Sequence, residues 1–105
     1  NQIKNATEYQ QRLEKKLPVV LTTLAKAHHI SIDYFDHLAF SNKLRAAPDV
    51  AGLKDLDTPC QATYPDVKPV CENPDSHYYW DEWHPTRKVH TLAAEAMLET
   101  LKASR

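Results

Sequence analysis

Six of the seven prolines fall between Pro48 and Pro85, and proline neither continues a helix interior nor donates to a sheet ladder. The middle of the chain must therefore be loop-rich, with regular structure pushed to its flanks. Glycine narrows the choice further. Gly52 is the only one in 105 residues, where average usage of about 7% gives roughly seven. Phosphate-cradling loops, dinucleotide fingerprints and G-x-S-x-G elbows all require glycines at fixed offsets. None of them can be built here.

A length of 105 residues is that of one small domain. Thirteen Lys and Arg against fourteen Asp and Glu give a net charge of -1, so no overall basic field exists to hold nucleic acid. The longest unbroken apolar stretch, Leu17 to Leu21, is far below the ~18 residues of a membrane span. Charge is uneven along the chain: residues 1–27 carry five basic and two acidic groups, 28–86 four and ten, and 87–105 four and two. The chain opens on Asn1 without the basic start and apolar core of a signal peptide. It reads as a processed or excised piece.

Tyr9, Leu13, Leu17, Val20, Leu24 and Ala27 recur at steps of three and four, the spacing of one helix face, predicting a helix over about 5–28 with a kink at Pro18. Ile30, Ile32 and Tyr34 alternate with Ser31 and Asp33, the period of a short strand over about 30–35. Asp36 can cap a helix over about 37–46, ending before Pro48. Thr86 can cap a last helix near 87–103, with Val89, Leu92, Ala93, Ala96, Met97 and Leu101 turned inward.

A lone strand leaves its backbone donors and acceptors unpaired. The strand therefore needs partners from outside the chain, and the alternation of helix and strand points to a parallel sheet of the layered α/β kind. The expectation is the C-terminal portion of a larger α/β domain. The alternative is a small all-α domain in which 30–35 is merely extended.

Cys60 and Cys71 have ten residues between them, with Pro65 and Pro69 in that stretch. The spacing fits neither a zinc ribbon nor a C-x-x-C redox site, and favours a local disulfide formed in an oxidising compartment over two free thiols. Residues 61–70 have no helical or strand period and should stand out as an exposed loop. The loop ends ten residues before Asp81, near enough to lie over a site there.

The chemistry is concentrated in residues 78–86. Asp81 and His84 are three apart on a turn before a helix, so the carboxylate can reach the Nδ1 hydrogen of the imidazole and leave Nε2 free to take a proton from a nucleophile. That is two-thirds of a nucleophilic triad. Pro85 stiffens the turn and Thr86 anchors it to the helix. Of the surrounding aromatics, Tyr78 and Trp80 are expected in the core.

Trp80-Asp81-Glu82-Trp83-His84-Pro85-Thr86 resembles the W-D-x-x-H-P-T block that closes the GDSL, or SGNH-hydrolase, family of esterases and lipases. The first helix, the strand ending in Asp33 to Asp36, the Pro48 to Gly52 stretch, the two-cysteine loop and the last helix come in that family's order. The resemblance implies a three-layer α/β/α domain with a mostly parallel sheet, of which this chain would be the C-terminal part. It implies Asp81 and His84 as catalytic acid and base, with the serine and the oxyanion-hole residues in an N-terminal portion of the same protein. Ser31, Ser41, Ser76 and Ser104 lack a G-D-S-like setting. The cysteine loop most resembles secreted bacterial members: lysophospholipases A, thermolabile haemolysins and glycerophospholipid-cholesterol acyltransferases. Trp83 and Arg87 depart from the pattern, standing where small and acidic residues are common, and leave the substrate open.

His28 and His29 close a helix and suit its C-terminal dipole. A zinc site from Asp81, His84 and His90 is the weaker alternative for the motif, since His84 and His90 lack the i, i+4 spacing. Asn5-Ala6-Thr7 has the form of a glycosylation sequon. The expected function is hydrolysis of lipid or lysophospholipid esters, secreted or periplasmic, with peripheral membrane contact, no nucleic acid and no metal or organic cofactor. The competing class is a non-enzymatic interaction domain that uses the Trp and Tyr cluster as its surface.

Overall fold

The side-chain oxygen of Asn1 accepts hydrogen bonds from the amides of Ile3 (2.9 Å) and Lys4 (3.3 Å). It thereby starts a 27-residue helix, α1, spanning Gln2–His28 in the computed structural model, which describes residues 1–104. The helix runs through Pro18, with the Thr22 hydroxyl donating to the Pro18 carbonyl (2.9 Å). It ends where His29 takes the left-handed conformation (φ 54°, ψ 43°). Glycine is the usual residue at such an end, and histidine is among the few others that reach this region.

This helix end removes the expected strand. Ile30 donates its amide to the Ala25 carbonyl at 3.0 Å, so the first residue of that segment caps α1 and does not join a ladder. Residues 30–36 form no strand, and among the described residues there is no sheet, only the isolated bridges Asp55↔His77 and Tyr79↔Pro85. The parallel-sheet, three-layer α/β/α expectation is thus overturned: the chain is mostly helical, and 30–35 is merely extended. Alternation marks two faces of an extended segment, but a strand also needs a neighbour to satisfy its backbone, and none lies beside this one.

Helix α2 spans His37–Ala46, with Asp36 accepting from the Ala39 amide (2.9 Å). Helix α3 spans Arg87–Ala103, capped by Thr86. Between them the proline-rich middle holds two short 3₁₀ turns, Pro48–Ala51 and Pro74–Ser76. Gly52, at φ 76°, ends the first of these, where any other residue would be strained.

The fully buried core is small: Leu53, Tyr78 and Val89, with Phe40, Leu44, Ala51, Leu56 and Tyr79 packed against them. It gathers α2, the middle segment and α3 around the turn that carries Asp81 and His84. Helix α1 contributes no buried residue. Its periodic apolar face is largely in solvent, with Tyr9 70% exposed; segment 30–34 lies against the helix, where Leu21, Ala25, Ile30, Ile32 and Tyr34 share a shallow cleft, and the Glu14 carboxyl meets that of Asp36.

The accessible surface is 8280 Å² for 12.0 kDa, against about 6000 Å² for a compact monomer of that mass. The radius of gyration, 16.7 Å, likewise exceeds the roughly 13 Å of a compact chain of this length. Much apolar surface is therefore left uncovered, α1 above all. No helix among the described residues is long and apolar enough to cross a membrane.

Candidate active site

Residues 78–86 fold into a tight hairpin. The Thr86 amide donates to the Tyr78 carbonyl (2.9 Å) and the Trp80 amide to the His84 carbonyl (2.8 Å), with Tyr79 opposite Pro85. Proline fits the bridge because its missing amide is not used there. One leg is anchored by the core residue Tyr78, whose hydroxyl lies 3.0 Å from Ser41 Oγ. The other leg ends in Thr86, 1% exposed, whose hydroxyl donates to the His77 carbonyl (2.8 Å). From α2, the Arg45 guanidinium sits 4.6 Å from the centre of the Tyr78 ring and donates to the Tyr79 hydroxyl (3.0 Å).

The tip carries the two expected residues. Asp81 Oδ1 accepts from the amides of Trp83 (2.8 Å) and His84 (2.7 Å), and both carboxylate oxygens lie 2.9 Å from His84 Nδ1. Donation from the imidazole, and then from the Trp83 amide, holds the Asp81 carboxyl below its ordinary range. An ionised Asp81 can only accept, so Nδ1 bears the hydrogen and Nε2 presents a lone pair whenever the ring is neutral. Nε2 has no hydrogen bond among the described residues, and the His84 side chain is 69% exposed against 21% for Asp81. The arrangement holds a base ready and leaves its working nitrogen open to whatever docks there.

A cleft of about 650 Å³ adjoins the hairpin, lined by Asp75, Trp80, Pro85, Arg87 and His90 among others. Neither Asp81 nor His84 lines it. Trp80 borders this cleft at 38% exposed and Trp83 is 83% exposed. Tyr78 takes the expected place in the core, while Trp80 does not, because the short hairpin turns it outward.

Cys60 and Cys71 are joined by a disulfide, and their loop packs against the hairpin. The amides of Cys60 and Gln61 donate to the carbonyls of Tyr79 (3.0 Å) and Trp80 (2.7 Å), and the Gln61 side chain ties back to the Lys68 carbonyl. Glu82 accepts from the Thr63 amide (2.6 Å), the Thr63 hydroxyl (2.8 Å) and the Tyr64 amide (2.9 Å). Those three bonds, the Thr63 amide foremost, bring its pKa down to about 2. On the far side, Asp55 accepts from the Thr58 (2.8 Å) and Asp57 (3.0 Å) amides, which hold its carboxyl low, and its carbonyl accepts from the Tyr78 amide (2.8 Å).

No family model matches the chain, and no curated protein is significantly similar to it.

Among the described residues no three His, Cys, Asp or Glu side chains converge on a possible metal position, so Asp81, His84 and His90 do not form the alternative zinc site. None of Ser31, Ser41, Ser76 or Ser104 is hydrogen-bonded to His84. Sequence reasoning missed Glu82, Thr63, Arg45 and Ser41. Arg45 and Ser41 lie on α2 and reach the Tyr79 and Tyr78 hydroxyls, but nothing in their spacing marks them.

Proposed function

We propose that this chain supplies the histidine–carboxylate half of a serine-type acyl-ester hydrolase, of the kind its W-D-x-x-H-P-T block resembles. The substrates are lipid or lysophospholipid esters, and the setting is secreted or periplasmic. The observation that carries the reading is the Asp81 carboxylate gripping Nδ1 of His84 while Nε2 stands open. The nucleophilic serine and the oxyanion donors come from a segment outside this chain, which also covers part of its exposed apolar surface.

His84 Nε2 takes the serine hydroxyl proton as the oxygen attacks the ester carbonyl, and returns it to the departing alcohol oxygen. Water then repeats the sequence on the acyl-enzyme, releasing the acid and restoring the serine. Asp81 steadies the imidazolium in both halves. The disulfide suits an oxidising compartment. Trp83, Tyr64 and Val67, at 83%, 82% and 77% exposed, suit brief contact with a lipid surface.

The test is labelling by a fluorophosphonate, which modifies only an activated serine. The purified protein should carry the label on a serine outside residues 1–105, and His84→Ala should abolish both labelling and ester turnover. Turnover that survives His84→Ala overturns the reading and leaves the exposed aromatics as an interaction surface.

A further inference from the structure

Glu82 stands at the hairpin tip between Asp81 and His84, yet its carboxylate binds the disulfide-closed loop. Oε1 accepts from the Thr63 and Tyr64 amides and Oε2 from the Thr63 hydroxyl, so three donors of an exposed loop are satisfied by one side chain. The two other attachments of this loop, Cys60 to Tyr79 and Gln61 to Trp80, hold the first leg of the hairpin. Neither reaches beyond Trp80. Among the described residues, and apart from bonds within the hairpin itself, it is Glu82 that hydrogen-bonds the tip to the rest of the molecule.

We infer that Glu82 is a positioning residue for the dyad, its carboxylate clamping the Cys60–Cys71 loop onto the turn that carries Asp81 and His84. The inference rests on the dyad acting as proposed above. The tip is short and solvent-facing, and the Asp81–His84 pair is useful only if its open nitrogen is held in one direction. Catalytic groups depend on neighbours that lock them to within about 0.5 Å. By joining residues 18 and 19 positions apart, the clamp removes the freedom of both the tip and the loop. Glutamine can take its place: its carbonyl oxygen accepts from both amides while its NH2 donates to the Thr63 hydroxyl.

The experiment compares Glu82→Ala, Glu82→Gln and Thr63→Val in the purified, serine-bearing protein. It tracks hydrogen exchange at the Thr63 and Tyr64 amides and at the His84 ring nitrogen, with kcat and KM on a soluble short-chain ester. Glu82→Ala is expected to speed exchange at all three positions and lower kcat about tenfold with KM little changed. Glu82→Gln should recover most of the loss, and Thr63→Val, which removes one bond of three without disturbing the tip, should move the same readouts by less. Unchanged kcat and ring-proton exchange in Glu82→Ala overturn the inference even if the loop amides are released. So does continued protection of those amides. Because the exchange data do not depend on turnover, a failed clamp is distinguishable from a dyad that does no catalysis, which shows instead as full activity in His84→Ala.

Discussion

Asp81 binds His84 twice over, through its imidazole Nδ1 at 2.9 Å and through its own backbone amide at 2.7 Å. One carboxylate thus sets both the direction of the ring and the path of the main chain that bears it. The two roles separate in a mutant, because an amide side chain can still accept from a backbone N–H but cannot anchor an imidazolium as a carboxylate does.

Asp81→Asn should keep the turn and lose the chemistry. In the serine-bearing protein, we expect kcat for the proposed ester hydrolysis to fall by about four decades, as it does when the carboxylate of a serine-protease triad is replaced. Circular dichroism should remain that of the parent. Asp81→Ala removes the turn acceptor as well and should show the same kinetic loss with altered His84 and Trp83 amide shifts. Parental kcat in Asp81→Asn counts against the dyad.

The disulfide closes a loop of twelve residues, since Cys60 and Cys71 are 11 apart. Chain-entropy reasoning assigns that closure about 3 kcal/mol. The double substitution Cys60→Ser with Cys71→Ser should therefore lower unfolding stability by roughly that amount in urea titrations. An unaltered midpoint would show that the loop contributes little to the folded state.

Thr86 is a buried side chain that serves two backbone partners, the His77 carbonyl and the Val89 amide. Thr86→Val keeps the volume but strands the His77 carbonyl and removes the cap of α3, at a cost of about 1–2 kcal/mol. Thr86→Ser keeps both bonds and should cost less, under about 1 kcal/mol for the lost methyl. The order of the two thermal midpoints is the measurement, and a reversed order refutes the assignment.

Glu82 provides a pH prediction with a definite sign. Its carboxyl titrates near 2 in the folded chain, below the ordinary 4.5, so its contribution to stability is fully present above about pH 4.5 and fades as pH falls toward 2. The amide shifts of Thr63 and Tyr64 should accordingly titrate with a midpoint near pH 2. A midpoint at the ordinary carboxylate value would mean that the three hydrogen bonds are not made in solution.

What the sequence disclosed was local. Asp36 and Thr86 could be read as caps because the amides they serve lie three residues away, and the disulfide because few alternatives fit its spacing. The Asp81–His84 bond was legible for the same reason. Failures came where the answer depended on something distant. The alternation of Ile30, Ile32 and Tyr34 describes side-chain direction but not the presence of a neighbouring strand, and the Ile30 amide was already engaged by Ala25. The face of α1 could be counted from its periodicity, yet periodicity does not say whether anything covers it. Glu82 was invisible because its partners are 18 and 19 residues upstream, in a segment without a period.

The Cys71 amide donates to the Cys60 carbonyl at 2.8 Å, so the two ends of the loop are zipped together by the main chain as well as by sulfur. Reduction would then free the thiols without letting them diffuse apart, leaving each at high effective concentration for the other. Re-formation then becomes a local exchange with a passing oxidant, with no long search of the chain for the two sulfurs to meet.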